Sequence, residues 1–240
     1  MKHALMFNLL FLTCTWQIIA QTYIAPKGQP AMKFILPEGS TLWLQPGSSA
    51  TFSASLPTGS LALSGSGFLK INHDRTRDHY LTVISHGANR FTLTSNTDVF
   101  LSNFPEDRET KISTTKGTLQ VRVKDALYRV SDTSALVITN SVRYLGVDRF
   151  TNDTAFIKER IVYESRPLFQ IINEVGRYFG LSVIYKDTLD CRLHGWLTLR
   201  RAKVSDVIKY IRVCDNYLCY TLEGNVLTCY KKETTTQACR

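Results

Sequence analysis

The chain has 240 residues, 44% of them hydrophobic, and a formal net charge of +9. This length suits one large or two small domains, and the apolar fraction excludes a disordered chain because it can supply a packed core. A basic balance can indicate a nucleic acid or an anionic membrane as partner. The charges are scattered, however, and the one dense stretch, RLHGWLTLRRAK, alternates with apolar residues as a strand edge does. We therefore expect an ordinary basic surface and no nucleic-acid partner.

Residues 1–20 have the pattern of a secretory signal peptide. Lys2 gives a short positive start, an apolar run follows from Ala4 to Leu12, and the small residue Ala20 stands before Gln21. The segment is short for a membrane span, which needs roughly twenty apolar residues. The pattern predicts export with cleavage after Ala20. Lipidation at Cys14 and a retained N-terminal anchor are the two alternatives.

After a lead-in segment at residues 21–31, the stretch from residue 32 to 145 is typical of an all-β domain. Short β-type runs such as STLWLQ and TLQVRV alternate with turn residues, and no long helical period occurs. This spacing favours a sandwich or a roll. Residues 146–157 are then expected to connect this domain to a second one.

Residues 158–232 predict a small α+β domain with the order β-α-β-β-α-β-β. In the first helix, residues 165–180, Ser165 is the expected N-cap and Gly180 the residue after the last turn. One face of this helix is apolar at helical spacing: Leu168, Ile171, Ile172, Val175 and Phe179. The second helix, Lys203 to Cys214, repeats the design. Small modules of this kind usually bind other proteins and seldom carry out chemistry.

These segments resemble a known family. The stretches IVYESRPLFQIINEVGRYFGLSVIYKDTL and GWLTLRRAKVSDVIKYIRVCDNYLCYTLEGNVLTCY resemble the C-terminal domain of FecR-type sensors, which is similar in layout to the secretin/TonB short N-terminal domain. Upstream, LPEGSTLWLQPGSSATF, GSLALSGSGFLKI and KISTTKGTLQVRV resemble strands and turns of the FecR domain itself. In TSNTDVFL, Thr97 matches a Gly-Thr pair of the family and Asn96 replaces its glycine.

The resemblance to this family of periplasmic sensors and anti-sigma factors implies a role in cell-surface signalling, of which only the periplasmic binding role carries over to this chain. In the family, the periplasmic part contacts a TonB-dependent outer-membrane transporter or its signalling domain. Only three residues precede the apolar run here, so we expect the family's membrane helix and sigma-binding cytoplasmic part to be absent. The alternative is a structural envelope component that uses its small domain in outer-membrane assembly. Neither reading implies a cofactor.

Five cysteines lie in the last third of the chain, and in an exported protein they predict local disulfides. With a turn at Glu223-Gly224-Asn225, Cys219 falls opposite Cys229, so this pair is the first candidate bridge. Cys191 with Cys214 is the weaker candidate. The odd count leaves one thiol unpaired or intermolecular, and the absence of a CxxC pair argues against zinc.

No convergent catalytic group is evident in the sequence. His73, His79 and His86 could be drawn as a metal or acid–base cluster, but INHDRTRDHY has the composition of a polar loop between two strands. Ser40 lies in a Gly-Ser turn and not in a GxSxG elbow. We therefore expect a binding protein without enzymatic activity, and without a catalytic, metal or cofactor site.

Overall fold

Thirteen strands followed by a smaller α+β unit form the described part of this computed structural model. The structure describes residues 20–53, 59–72, 81–85, 90–93, 97–131, 134–145, 153–189, 191–214 and 218–231. Most of it is β-strand, with two α-helices, both in the C-terminal part. The predicted fold class, a mainly β region followed by a small α+β region, is confirmed.

The β region contains strands β1 to β13, and its sheets meet at the long strand β5. The N-terminal half of β5 pairs with β4 and β6, and the C-terminal half pairs with β3 and β8. The strands are β1 (Ala20–Ala25), β2 (Met32–Ile35), β3 (Thr41–Leu44), β4 (Ser48–Ser53), β5 (Ser60–Lys70), β6 (Leu81–Ser85), β7 (Arg90–Leu93), β8 (Asp98–Asn103), β9 (Thr110–Lys116), β10 (Leu119–Val123), β11 (Ala126–Val130), β12 (Ser134–Ile138) and β13 (Val142–Leu145).

The change of partners along β5 occurs at Gly65. This residue has φ +94°, and a Cβ atom there would lie 2.5 Å from Ser48 Oγ and 2.8 Å from a ring carbon of Phe104. Glycine is therefore required both for the backbone conformation and for the close approach of the two neighbours. The strand order from this point is β11-β10-β7-β6-β5-β8-β9-β12-β13, with β1 joined through β4 and β2 through β3.

The expected lead-in segment is in part a strand, which corrects the sequence interpretation. β1 pairs antiparallel with β4, from Ala20 opposite Ser53 to Ala25 opposite Ser48. Tyr23 and Ala25 are buried in the main β core, whereas Thr22 and Ile24 point outward. This alternation is the signature of a strand with one face on the core, but the Pro and Gly residues that follow it obscured it.

The α+β region follows the predicted order. Its elements are β14 (Arg160–Pro167), α1 (Leu168–Phe179), β15 (Ser182–Tyr185), β16 (Arg192–Thr198), α2 (Val204–Cys214), β17 (Leu218–Glu223) and β18 (Val226–Lys231). β14 and β16 form an antiparallel ribbon, while β15, β18 and β17 form a three-stranded sheet with β15 parallel to β18. The two helices and both sheets enclose a core of their own, separate from the core of the β region.

Ser165 does not cap helix α1, contrary to the sequence expectation. β14 continues through Pro167, which occupies the N-cap position with no side-chain cap. Ser165 instead lies in a bulge of β14 with φ 52°. The other end of the helix is as predicted, because Gly180 has φ 72° and its N–H bonds back to the last turn.

Candidate functional site at the junction of the two regions

Helix α1 presents its polar face to the β region. Leu168, Ile171, Ile172 and Val175 point into the α+β core, and all four are fully buried. Gln170, Asn173 and Arg177, spaced at i, i+3 and i+7, form a stripe on another face, and they are also buried. Buried polar side chains require hydrogen-bond partners. Their partners come from the β region.

The partner of this stripe is a 3-10 helix, Pro105–Asp107, between β8 and β9. The guanidinium of Arg177 donates to Asp107 Oδ2 at 3.0 Å and to Glu106 Oε1 at 2.8 Å. Asn173 Nδ2 donates to Asp107 Oδ1 at 3.1 Å, and Gln170 Nε2 donates to the Asp107 carbonyl oxygen at 3.1 Å. Asp107 thus receives a bond from every member of the stripe.

The ion pair between Arg177 and Asp107 is almost dry, with side-chain exposures of 4% and 5%. The guanidinium also lies over the ring of Phe104, 3.7 Å from its centroid, in cation–π geometry. A buried ion pair contributes little net stability because desolvation offsets its attraction, but it is costly to break by removing one partner. The ion pair therefore fixes the relative geometry of the two regions more than it stabilises their contact.

Two glycines make the closest backbone contact between the regions. Gly28 N–H donates to the Arg177 carbonyl oxygen at 2.9 Å. A Cβ atom on Gly180 would lie 3.2 Å from the Cα of Gly28, and both glycines have positive φ. The turn after β1 therefore packs directly on the C-terminal end of α1, beside the Arg177 network.

A hydrogen-bonded path runs from the junction to an edge of the small sheet. Asn173 donates to Asp107 and accepts at Oδ1 from the Tyr185 hydroxyl at 2.8 Å. Tyr185 is the last residue of β15, next to Ile184. Burial, with nearby Cys229 and Asp107, raises the pKa of the Tyr185 hydroxyl above its ordinary value, which keeps this hydroxyl a hydrogen-bond donor. The β region and β15 are thus joined through one helical residue.

A cavity of about 220 Å³ opens beside the junction. On the β side, Lys111 and Ser113 both bond to the carboxylate of Asp153, which belongs to the connection between the regions. On the other side, Arg166 pairs with Glu174. Burial alone would lower the pKa of Arg166, but the carboxylates of Glu174 and Asp107 outweigh it, so its pKa is raised. The walls are mixed, with apolar side chains beside charged groups of both signs.

The connection itself is anchored by aromatic packing. Residues Ala155–Lys158 form a 3-10 helix, and Phe156 packs on Phe100 with ring centroids 6.1 Å apart. Phe68 completes this small cluster on the surface of the β region. The expected connection at 146–157 is thus, in its described part from residue 153, held against the β region.

The surface of the α+β region carries four large apolar side chains in four different elements. Ile184 in β15 is 50% exposed and Trp196 in β16 is 58% exposed, and Tyr210 in α2 and Leu222 in β17 are also exposed. The guanidinium of Arg160 lies 5.9 Å from the Trp196 ring centroid. Exposed aromatic residues are enriched at protein interfaces. In the described part of the sheet, β15 pairs on one side alone, with β18.

The first candidate disulfide is contradicted by the hairpin register. Glu223 pairs with Val226 across a two-residue turn, so Cys219 lies opposite Tyr230, and Cys229 lies opposite Tyr220. Cys219 and Cys229 therefore point to opposite faces of the hairpin. Cys229 is a free thiol in the α+β core, and burial raises its pKa to about 12.

The remaining sequence candidates lie wholly or partly outside the described residues. These are residues 1–19 with Cys14 and the histidines His73, His79 and His86. The weaker candidate disulfide, Cys191 with Cys214, is wrong, because Cys191 is not in a disulfide bond. Among the residues that the structure describes, no group of three or more His, Cys, Asp and Glu side chains could hold a metal ion. Within the same residues, no helix is both long and apolar enough to cross a membrane.

The polar stripe of α1 was missed by the sequence interpretation. Gln170, Asn173 and Arg177 stand opposite an apolar stripe, which is also the pattern of a helix with one face in water. Sequence spacing alone does not distinguish a solvated polar face from one that meets a second domain.

Comparisons with known proteins give the class of the fold. No protein-family model matches the chain, and no curated protein matches it. Solved structures do match it, and two of them are crystal structures, each described as that of a "putative anti-sigma factor" from Parabacteroides distasonis ATCC 8503. Both have a TM-score of 0.78 and 14% identity, and they cover 90% and 89% of this chain and 100% of the other. At this identity the likeness shows the fold alone, over both regions.

Proposed function

We propose that the chain is a regulatory binding protein of the FecR type. Its α+β region binds a protein partner, a TonB-dependent outer-membrane transporter or that transporter's signalling domain, and the junction on α1 relays the contact to the β region. The compartment we propose is the periplasm, reached through the signal-like residues 1–20. The role is binding, without catalysis and without a cofactor.

The observation that carries the proposal is the agreement of fold over 90% of this chain. Both regions, in one arrangement, match a protein described as a "putative anti-sigma factor" with none of that chain left over. The sequence segments that resemble FecR-type sensors fall on strands β3 to β5, β8 to β10 and on the whole α+β region. Regulation by protein binding accounts for the layout of two regions that the chain shares with these structures, without requiring a catalytic centre.

The partner contact is assigned to the edge of β15. A partner strand can pair with an open edge through backbone hydrogen bonds, while side-chain pockets supply specificity. Ile184 supplies an exposed apolar side chain at this edge, and Tyr185 beside it bonds to Asn173. A partner that shifts β15 would therefore disturb the bonds of Asn173 to Asp107. This is a physical route from the partner to the β region.

One observation favours the structural alternative as a second candidate. In the described three-stranded sheet, β15 and β17 are both edge strands. Copies of the chain could pair edge to edge through them and form an outer-membrane assembly. Such pairing would use the same edge as the regulatory contact, so the two functions differ in the identity of the bound chain.

A pull-down from envelope extract tests the proposal. The tagged chain should retain a TonB-dependent transporter with an extra N-terminal domain, and Ile184→Ser should lose it. Ile35→Ser is the matched control, because Ile35 is similarly exposed on a strand of the β region. Recovery of a large oligomer of the chain itself would favour the structural role. If only the Ile35→Ser variant failed to retain the transporter, the contact would belong to the β region.

A further inference from the structure

Seven adjacent strands of the β region turn one broad face outward. The register is continuous from Ala20 in β1 through β4, β5, β6, β7 and β10 to Arg129 in β11. We name this surface the arginine face. Its described outward residues are Ala20, Thr22, Ile24, Ser49, Thr51, Ser53, Ser60, Ala62, Ser64, Arg90, Thr92, Gln120, Arg122, Leu127 and Arg129.

The described charged side chains of the arginine face are all positive. Among these described positions there are three arginines and no carboxylate, while most of the others are Ser, Thr or Ala. Arg90, Arg122 and Arg129 are all exposed, and none forms an ion pair with a described residue. The described positions of the arginine face therefore carry only positive charge.

The arginines are also placed close together. Arg90 lies directly opposite Arg122 in the antiparallel pair of β7 and β10. Directly opposed residues have Cβ atoms about 4.5–5.5 Å apart, and like charges there destabilise the sheet. Arg129 lies opposite Gln120, on the diagonal from Arg122, within roughly 7–8 Å. Among the residues that the structure describes, no carboxylate pairs with either guanidinium, and an anionic partner would relieve the repulsion.

The shape of the face selects among anionic partners. Duplex nucleic acid is read by a helix or a narrow ribbon that enters a groove. Single strands stack on aromatic side chains, and the described positions of this face hold none. A bilayer with anionic headgroups is broad, and its charge is distributed over the surface, so a broad sheet face can approach it at many points. Ile24 and Leu127, at the two edges of the face, are both more than half exposed.

We propose that the arginine face lies against an anionic lipid bilayer. Arg90, Arg122 and Arg129 bind the headgroups, and Ile24 and Leu127 reach the interface at the two edges. Each arginine near an anionic surface strengthens binding by about fivefold. The contact is therefore weak and reversible, and it orients the β region on the membrane. This surface lies apart from β15, so the inference does not depend on the proposed partner.

Sedimentation with lipid vesicles tests the inference. The purified chain should bind vesicles of equal parts phosphatidylglycerol and phosphatidylcholine, and should not bind pure phosphatidylcholine. Raising the ionic strength should release it, because salt screens exposed charges. The triple variant Arg90→Gln, Arg122→Gln, Arg129→Gln should bind about a hundredfold more weakly. Its thermal midpoint should not fall, since the variant removes a like-charge pair.

A matched control distinguishes binding by the arginine face from binding that depends only on the net charge of the chain. Lys158→Gln, Lys203→Gln, Lys209→Gln removes the same charge from exposed positions outside the arginine face, and its vesicle binding should equal that of the wild type. An equal loss of vesicle binding in both triple variants would show that binding depends on net charge alone, and this would overturn the inference. Failure of the wild type to bind anionic vesicles would overturn it as well, and heparin binding in that case would indicate an acidic polymer instead.

Discussion

The two regions differ in what holds each together and what holds them to each other. Within each region, strands and helices pack through an apolar core, and these two cores share no residue. Between the regions, the contact is mainly polar, with Arg177 and Asp107 at its centre. Helix α1 takes part in both, with its apolar face in one core and its polar stripe on the other region.

This difference has an energetic consequence. Apolar packing is lost only when a region unfolds, whereas a polar contact can be replaced by water when the surfaces separate. The regions should therefore be able to part without either one unfolding. For a regulator, such a joint can respond to a bound partner, because separating it costs less than breaking a core. The two faces of α1 can be tested against each other by single substitutions.

The largest effect is expected from the apolar face. Ile171→Ala removes a fully buried side chain from the α+β core, and such truncations cost about 2–5 kcal/mol. Denaturant unfolding followed by alkylation of the buried Cys229 thiol should show this loss. The matched variant Val121→Ala in the β core should leave the alkylation midpoint unchanged. A shift of equal size in both variants would mean that the two regions unfold as one unit.

A smaller loss is expected from the polar stripe. Arg177→Met leaves the Asp107 carboxylate without its cation, but water can reach it if the regions separate. We expect the free energy of unfolding to fall by about 1–3 kcal/mol, which is less than the loss from truncating a core side chain. Asp107→Asn in the same chain should restore part of the loss, measured as a double-mutant cycle of thermal or denaturant unfolding. Strict additivity of the two substitutions would argue that Arg177 and Asp107 are not coupled.

The glycine contact should contribute less again. Gly180→Ala places an L side chain in the left-handed region, at φ 72°, and brings its Cβ to 3.2 Å from Gly28. The conformational strain alone costs roughly 1–2 kcal/mol. Gly224→Ala is the control, with positive φ but no atom within 4 Å of the added Cβ. A greater loss at Gly180 than at Gly224, measured by thermal unfolding, would isolate the contact with Gly28.

The last effect is absent at neutral pH and appears only at alkaline pH, where it comes from Cys229. Burial raises the pKa of its thiol in the folded protein to about 12, from an ordinary value of 9.0. The folded protein therefore holds this proton where the unfolded chain has lost it, so stability is fully present below about pH 9 and falls as pH rises toward 12. The slope is at most about 1.4 kcal/mol per pH unit. Cys229→Ala should reduce the slope of stability against pH. An unchanged slope would show that other groups cause the pH dependence.

The sequence predicted the order of elements well, because hydrophobic periodicity is local. The period of α1, its end at Gly180 and the five strands of the α+β region could all be read from neighbouring residues. The N-terminal side of α1 was misjudged for a non-local reason. Ser165 has the chemistry of a cap, but β14 pairs with β16 through Pro167, and this pairing places Ser165 in a bulge.

The hairpin shows how a small local error changes a site. Allowing three residues for the turn put Cys219 opposite Cys229, whereas the turn has two, Gly224 and Asn225. Gly224 has φ 58°, as short hairpin turns require. A shift of one residue in a strand moves its side chains to the other face. The junction could not be predicted either. A polar helix face that contacts Asp107 has the same residue spacing as a polar helix face that contacts water.

The most direct test of the account is the folding of residues 158–232 alone. This fragment keeps the whole α+β core, and the face of α1 that it exposes, with Gln170, Asn173 and Arg177, is polar. We predict a single cooperative thermal transition, and alkylation of Cys229 only on unfolding. A fragment that remains disordered, or in which Cys229 reacts at once, would show that the α+β core depends on the β region and that the junction is not a separable contact.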